Sequence, residues 1–276
     1  MQEYRPSRFE ILPIIVKNLL IINGLMFLAT QVLQQSFNYD LTKLLGLHYF
    51  TSTYFKPFQL ITHMFMHGNF MHIFSNMFAL WMFGAIIENV WGPKRFLMFY
   101  LICGIGGALA HLGYTAYEMY DIQLAVDQYL SEPTRDNFKY LFEGHSNLLY
   151  DDDFVNRVNA FYNSWNSISS NTILQSQELA QELALQMANI PVVGASGAVF
   201  GVLLAFGMLF PNTHIYLYFF IPMKAKYFVF LYGLFELYAG FSDTQNGVAH
   251  FAHLGGMLVG FILIKYWNKT RRRDFF

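Results

Sequence analysis

The sequence predicts an all-α, polytopic membrane protein: a six-transmembrane-helix bundle with an extracytoplasmic insert between helices 3 and 4. Of its 276 residues, 55% are apolar and 19% aromatic, whereas only 13% are charged, about half the charged fraction of a soluble domain. The formal net charge is only −1, so no overall basic field exists to bind nucleic acid. Apolar windows recur along the chain, and they make lipid the natural solvent.

Six apolar windows account for the predicted spans, since about 20 helical residues cross roughly 30 Å of hydrocarbon. They are residues 12–33, 70–91, 95–117, 195–211, 226–241 and 248–267. The fourth and fifth windows are short. The first contains Lys17 and Asn18 and lacks a clear small-residue cleavage site, so we expect it to remain in the mature protein.

Basic residues between the windows predict the orientation. They are Arg5, Arg8, Lys94, Arg95, Lys224, Lys226, Lys269, Arg271, Arg272 and Arg273. With six spans they all fall on one side, which the positive-inside rule identifies as cytoplasmic. We therefore expect a multi-pass protein of the cell (inner) membrane with both termini in the cytoplasm.

The same topology divides the chain into segments. They are a cytoplasmic tail at 1–11, helices 1–3 at 12–118 with a first extracytoplasmic loop at 36–66, an acidic extracytoplasmic insert at 119–190, helices 4–6 at 191–267 and a basic tail at 268–276. Helical spacing of apolar residues at 154–165 and 173–188 predicts short amphipathic helices over the membrane face. The simplest interpretation of the insert is a family-specific insertion with no catalytic role, because surface loops tolerate insertions at little cost in stability.

The second span carries polar residues that are costly at membrane depth. His72 and Asn76 share one helix face, and Gly84, Glu88 and Gly92 continue the stripe. The last three are best explained structurally, by close helix packing at the glycines and by a Glu88 side chain that accepts hydrogen bonds from backbone groups of the following loop. His72 and Asn76 remain open to either a structural or a functional interpretation.

Ser196 follows Pro191 and Gly194 and stands at or near the start of the fourth helix. Unpaired N–H groups and the positive end of the helix dipole collect there. The serine is therefore either a helix cap or a nucleophile with oxyanion donors already in place. The pattern differs from the G-x-S-x-G of soluble hydrolases because Ala198 stands where glycine is required.

His253 supplies a candidate base in the sixth window. Gly256 and Gly260 lie on its helix face and allow a neighbouring backbone to approach, and a neutral imidazole there accepts a serine proton. His250, one turn earlier, is the competing base. The topology places His72, Ser196 and His253 at a similar depth, as acyl transfer requires.

A carboxylate that could join Ser196 and His253 as a third catalytic group is not evident from the sequence. Asp243 sits in a loop and is a poor candidate, so the economical hypothesis is a Ser/His dyad.

These motifs together resemble the rhomboid family of intramembrane serine proteases. Residues 67–76 are similar to its H-x4-H-x3-N, residues 194–197 to its G-x-S-G, and residues 252–260 to its A-H-x2-G-x3-G; Gly84, Glu88 and Gly92 match the G-x3-E-x3-G between them. The resemblance leaves out the N-terminal tail and the insert. A Trp-Arg pair found in the first loop of many members is here Phe58-Gln59.

The resemblance implies roles for individual residues. Ser196 attacks the scissile carbonyl, His253 serves as base and then acid, and the backbone N–H of Ser196 with His72 and Asn76 stabilises the oxyanion. Phe200 lies against the His253 ring. The implied activity is cleavage of transmembrane segments of membrane proteins near the extracytoplasmic face, with the lipid bilayer as surroundings and with no metal, cofactor or nucleic acid.

Other functions remain open at this stage. The nearest is a catalytically inactive rhomboid-like membrane protein that binds transmembrane helices. A transporter is disfavoured because the chain shows no inverted repeat, and an intramembrane metalloprotease because H-E-x-x-H is missing. His63 and His67 are spaced i, i+4, which leaves an adventitious metal pair as an alternative.

Overall fold

The computed structural model describes residues 9–146, 151–165, 169–217, 220–242 and 248–271. Within them the chain is mostly helical, as predicted. Several residues of the sequence analysis lie outside this part, namely Arg5, Arg8, Asp243, Arg272 and Arg273.

The described elements follow in chain order. The helices are α1 (Ile14–Phe37), α2 (Leu41–Leu45), α3 (Gln59–Thr62), a 3₁₀ turn (His63–Phe65), α4 (Phe70–Ala79), a π turn (Leu80–Gly84), α5 (Ala85–Trp91), α6 (Pro93–Ser131), α7 (Arg135–Gly144), α8 (Asp152–Ser164), α9 (Ser170–Ala188), α10 (Ser196–Leu209), α11 (Ala225–Phe241) and α12 (His250–Arg271). Between α10 and α11, strands β1 (His214–Leu217) and β2 (Ile221–Lys224) pair antiparallel.

Every predicted apolar window lies on a helix of this set. Among the described residues, three helical stretches are long and apolar enough to cross a membrane: Ile14–Phe37, Phe70–Trp91 and Pro93–Ser131. The fourth window forms the shorter α10, of 14 residues. The chain is therefore a membrane-spanning helical protein.

Helix α6 is longer than predicted. The third span was expected to end near residue 118, but the helix continues to Ser131. Ile122, Val126 and Tyr129 are buried along this extension, and the first helix-breaking residue after them is Pro133. The polar residues that suggested a loop thus occupy the exposed faces of a continuing helix.

The described residues fall into two compact units. One takes in the described parts of Met1–Leu47, Pro57–His111 and Val192–Phe276, and the other those of His48–Lys56 and Leu112–Pro191. In the first unit α10 is central: ten of its 14 residues are buried. A helix that is apolar on all sides requires such a position.

Glu88 fixes the start of α1 in this unit. Its two carboxylate oxygens accept the backbone N–H groups of Ile15 and Val16 at 2.9 and 2.8 Å. The sequence interpretation assigned Glu88 to the following loop and was wrong about the partner. The N-terminal N–H groups of α1 lack helical acceptors and carry the positive end of its dipole, so a buried carboxylate stabilises them.

The first loop is held by side-chain bonds to main-chain carbonyls. The Gln59 amide donates to the Leu44 carbonyl at 3.1 Å, and the Thr62 hydroxyl donates to the Leu45 carbonyl at 2.7 Å. Leu47 and Val192 exchange two backbone hydrogen bonds of 2.9 and 2.8 Å. Gln59 thus supplies internal bonding in a loop that lacks the family's Trp-Arg pair.

The second unit has its own core, centred on Phe138, which is 1% exposed. The amphipathic helices predicted at 154–165 and 173–188 are confirmed as α8 and α9. Arg157 of α8 pairs with Glu182 of α9 at 3.0 and 2.5 Å. That hydrogen-bonded carboxylate raises the pKa of the Arg157 guanidinium above its ordinary value.

Candidate active site

Ser196 begins helix α10. Ala195 is the N-cap residue and no side chain caps the helix, so the capping interpretation of Ser196 is wrong. Gly194 has φ +126°, a conformation that L side chains rarely adopt, and its N–H donates to the His63 carbonyl at 2.9 Å. The glycine turns the chain sharply and leaves the serine hydroxyl available for another partner.

Glycines bring α10 and α12 into backbone contact. A β-carbon on Gly256 would lie 1.9 Å from the carbonyl oxygen of Gly197, so no side chain fits at that position. A β-carbon on Gly260 would likewise lie 3.4 Å from the α-carbon of Gly201. The predicted packing role of Gly256 and Gly260 is confirmed, and it places His253 beside the start of α10.

Ser196 and His253 are in direct contact. Nε2 of His253 lies 2.8 Å from Oγ of Ser196, and the histidine is 7% exposed. The ring of Phe200 stacks on the imidazole with centroids 4.1 Å apart and planes 6° from parallel. The predicted neighbourhood of these three residues is therefore observed.

A carboxylate completes this cluster, and sequence reasoning missed it. Oε2 of Glu236, in α11, lies 2.8 Å from Nδ1 of His253 and 2.6 Å from Nδ1 of His250. Glu236 is 3% exposed. The signal was present, because Glu236 is an acid inside an apolar window and such residues are functional candidates by default. Asp243, the acid weighed from the sequence, comes after this window in the chain.

His250 is thereby separated from the serine. It contacts Glu236 and not Ser196, and its Nε2 is buried without a hydrogen-bond partner in the part of the chain described. Of the two histidines proposed as the base, the geometry places His253 against the nucleophile.

Glu236, His250 and His253 also offer ligand types that suit a metal ion, with ligand atoms within 4.8 Å of one another. Two ligands of one tetrahedral zinc, at about 2.0–2.1 Å from it, stand roughly 3.3 Å apart. The N···O separations of 2.6 and 2.8 Å are shorter and typical of hydrogen bonds. The arrangement fits proton sharing better than metal coordination.

His72 lies on the other side of the serine. A β-carbon on Gly194 would be 2.7 Å from Nε2 of His72 and 3.6 Å from Oγ of Ser196. Both polar atoms therefore border the space that this glycine leaves empty. A donor in that position can reach an oxyanion formed at the serine.

Asn76 and His67 are less directly placed. Asn76 is 6% exposed and lies one turn after His72 in α4, but the contacts described bring it to neither Ser196 nor His253. His67 packs edge-on against the His72 ring with centroids 5.0 Å apart. Nδ1 of His63 donates to the Gln59 carbonyl at 2.8 Å.

Fold and site together define a helical membrane protein with a partly buried serine–histidine pair at a helix start. The chain belongs to the rhomboid family: the model of the Rhomboid domain matches residues 54–127 and 165–269, more than half of the chain. Residues 128–164, within the predicted insert, lie outside this match.

Named relatives agree with this membership. The chain is 26% identical over 262 residues to "RHOMBOID-like protein 12, mitochondrial" of Arabidopsis thaliana, covering 95% of this chain and 60% of the relative. It is 25% identical over 206 residues to "Rhomboid protein 1, mitochondrial" of Saccharomyces cerevisiae, covering 75% and 40%. It is 36% identical over 59 residues to "Rhomboid protease GluP" of Bacillus subtilis, covering 21% and 12%. The chain therefore spans at most 60% of the length of these relatives.

Proposed function

We propose that this protein is an intramembrane serine endopeptidase that cleaves transmembrane segments of membrane proteins near the extracytoplasmic face. The observation that carries the proposal is the 2.8 Å contact between Oγ of Ser196 and Nε2 of His253 at the start of a buried helix. The presence of both Ser196 and His253 supports an active enzyme over an inactive helix-binding relative.

The proposed reaction uses Ser196 as nucleophile and His253 as base. The serine oxygen bonds to the scissile carbonyl carbon while its proton passes to Nε2 of His253. The imidazolium then gives that proton to the leaving nitrogen as the C–N bond breaks. Water attacks the resulting ester by the same route and restores the serine hydroxyl.

The oxyanion of each tetrahedral intermediate needs hydrogen-bond donors. The backbone N–H of Ser196, at the positive end of α10, is one candidate. His72 is a second, because its Nε2 borders the same space as the serine oxygen. Asn76, buried one turn further along α4, is the third donor we propose.

The proposed substrate is a transmembrane protein whose extracytoplasmic end unwinds readily, because a peptide bond must leave its helix before the serine can reach it. The proposed setting is a bundle of six spans in the cell (inner) membrane with both termini cytoplasmic. Two relatives carry "mitochondrial" in their names, so an organelle inner membrane is the setting to compare in localisation experiments.

Active-site labelling tests the proposal directly. A fluorophosphonate should label purified wild-type protein on Ser196, and a generic transmembrane substrate should be cleaved. Ser196→Ala and His253→Ala should each abolish both signals, because the first removes the nucleophile and the second its base. EDTA should leave cleavage unchanged.

Thermal midpoints of all three proteins serve as the control for folding. Cleavage or labelling that persists in Ser196→Ala would refute the assignment. A wild-type protein that binds transmembrane helices but is neither labelled nor active would instead be the inactive relative.

A further inference from the structure

Glu236 has no part in a two-residue mechanism, yet it is buried at the candidate site. One carboxylate oxygen faces two imidazole nitrogens at 2.6 and 2.8 Å. A carboxylate inside an apolar helix is costly unless it is paired. Two charge-assisted hydrogen bonds to a single oxygen meet that cost.

The chemistry of the three groups fixes their protons. An ionised carboxylate only accepts hydrogen bonds, so Nδ1 of His250 and Nδ1 of His253 must both carry hydrogen. A neutral His253 then keeps its lone pair on Nε2, the nitrogen that lies 2.8 Å from Oγ of Ser196. Glu236 thereby selects the tautomer that can accept the serine proton.

We propose that Glu236 is a positioning residue for the His253 base, and that His250 holds the carboxylate in place through the same oxygen. The inference rests on the proposed protease function and extends the serine–histidine pair to a Ser196–His253–Glu236 triad. The carboxylate stays ionised throughout: the serine proton moves to Nε2 of His253 and then to the leaving nitrogen, and Glu236 stabilises the intervening imidazolium.

A purely structural role, in which Glu236 only joins α11 to α12, makes a different prediction. Loss of such a contact lowers stability without altering how the base titrates. The pH dependence of the reaction therefore separates the two roles. Within the described residues, the ionisable groups seen to interact with the His253 imidazole are Glu236 of α11, His250 of α12, His72 of α4 and His111 of α6, and only Glu236 among them is an acid.

Glu236→Gln is the central variant, because it keeps size and an acceptor oxygen but removes the charge. We expect the rate of Ser196 labelling, and kcat for a transmembrane substrate, to fall by about 10²–10⁴-fold with little change in KM, as for other triads that lose their acid. The acid limb of the pH–rate profile should move to lower pH, since an imidazolium without its carboxylate loses its proton more easily.

Two further variants should give smaller losses of the labelling rate than Glu236→Gln. Glu236→Asp retains the charge one methylene further away and should restore part of the lost rate and return the acid limb toward its wild-type position. His250→Ala should lower the rate less than Glu236→Gln, because His250 reaches the serine only through Glu236.

Glu88→Gln is the matched control, since Glu88 is an equally buried carboxylate, 2% exposed, whose hydrogen bonds within the described part of the chain go to the start of α1. It should lower the thermal midpoint and leave the pH profile in place. Labelling of Glu236→Gln at the wild-type rate and with the wild-type profile would overturn the inference. So would a loss that merely follows the midpoint, as in Glu88→Gln.

The two proposals fail in different ways. Wild-type protein that is never labelled refutes the protease function, and this inference falls with it. Labelled wild-type protein with an unaffected Glu236→Gln refutes only the positioning role. If Glu236→Gln does not fold, folded Glu236→Asp that is labelled at the wild-type rate would contradict the inference, because its carboxylate is one methylene further from Nδ1 of His253.

Discussion

Gly194 shows how one backbone conformation shapes the candidate site. Its φ of +126° and its missing side chain leave room in which the His72 ring approaches the serine. Any other residue there would strain the backbone and collide with Nε2 of His72. Gly194 therefore lets the His72 side chain approach the start of α10. There, His72 and the backbone N–H groups are proposed as oxyanion donors.

His72→Ala and Asn76→Ala test the proposed oxyanion donors. We expect both to reduce turnover, and His72→Ala to be the more severe, because its ring borders the serine while Asn76 lies one turn away. A single oxyanion donor is typically worth about 10²–10³ in rate, and the backbone donor survives both changes. Turnover and thermal midpoint should be measured on the same samples.

A structural role for the pair has a distinct signature. Full activity in both variants, or activity that declines only as the midpoint declines, would mean that His72 and Asn76 do not stabilise the oxyanion.

At the residue scale, the sequence predicted a site residue where its neighbours along the chain form a recognisable motif around it. Ser196 among its glycines and His253 with its glycine stripe were identified because spacing along one helix fixes which residues share a face. Glu236 stands out as an acid in an apolar window, but its role was missed because its partners lie in another helix. Contacts between helices depend on packing, and no periodicity within α11 indicates them.

At the element scale, the contact between α10 and α12 decides whether the serine and histidine meet. Gly256→Ala would place a methyl group 1.9 Å from the Gly197 carbonyl, so the helices must separate. Overpacking of this kind typically costs about 1–3 kcal/mol. We expect a lower thermal midpoint together with slower labelling of Ser196, because the separation also lengthens the Ser196–His253 contact.

Gly24→Ala is the matched control for that variant. Gly24 lies inside α1, and a β-carbon there meets nothing within 4 Å. Alanine is favoured over glycine in a helix by about 0.5–1 kcal/mol, so the midpoint should hold or rise and labelling should stay unchanged. A Gly256→Ala protein that behaved like Gly24→Ala would show that the two helices need no backbone contact.

Helices were easier to predict than their ends. Apolar windows and caps depend on neighbouring residues, so each predicted window is found on a helix. The extension of α6 to Ser131 and the antiparallel pairing of β1 with β2 were not predicted. Both depend on the residues that a polar or short segment packs against, and the local pattern does not indicate those residues.

At the scale of the whole molecule, the second unit has an aromatic core of its own. Phe138 contacts the rings of Tyr129, Phe142 and Trp165 with centroids 5.8, 4.6 and 5.6 Å apart. Phe138→Ala should destabilise this unit by about 3–5 kcal/mol. Faster amide hydrogen exchange in α7 and α8 would report the loss.

The same variant tests whether this unit takes part in catalysis. If the unit carries no chemistry, as the sequence suggested, the labelling rate of Ser196 should be retained in Phe138→Ala. Tyr140→Ala is the control, because Tyr140 is on the same helix but 71% exposed and should change neither measurement. Labelling that disappears with the core would assign the unit a role in the reaction.

The overall class was predictable because composition and apolar windows already require lipid. Orientation, the count of six spans and the segment boundaries remain predictions, since they describe the chain relative to a bilayer. The positive-inside pattern rests partly on Arg5, Arg8, Arg272 and Arg273, which lie outside the described residues.

The length of α10 has a consequence for hydration. Its 14 residues rise only about 21 Å at 1.5 Å each, whereas the hydrocarbon core is about 30 Å thick. If the last turn reaches the cytoplasmic interface, Ser196 is roughly 9 Å short of the opposite one. The extended backbone before it then lies at hydrocarbon depth, where only protein or a water-filled cavity can satisfy its polar groups. The proposed hydrolysis would consume water at this depth, so the surroundings of Ser196 would have to admit water as well as the substrate chain.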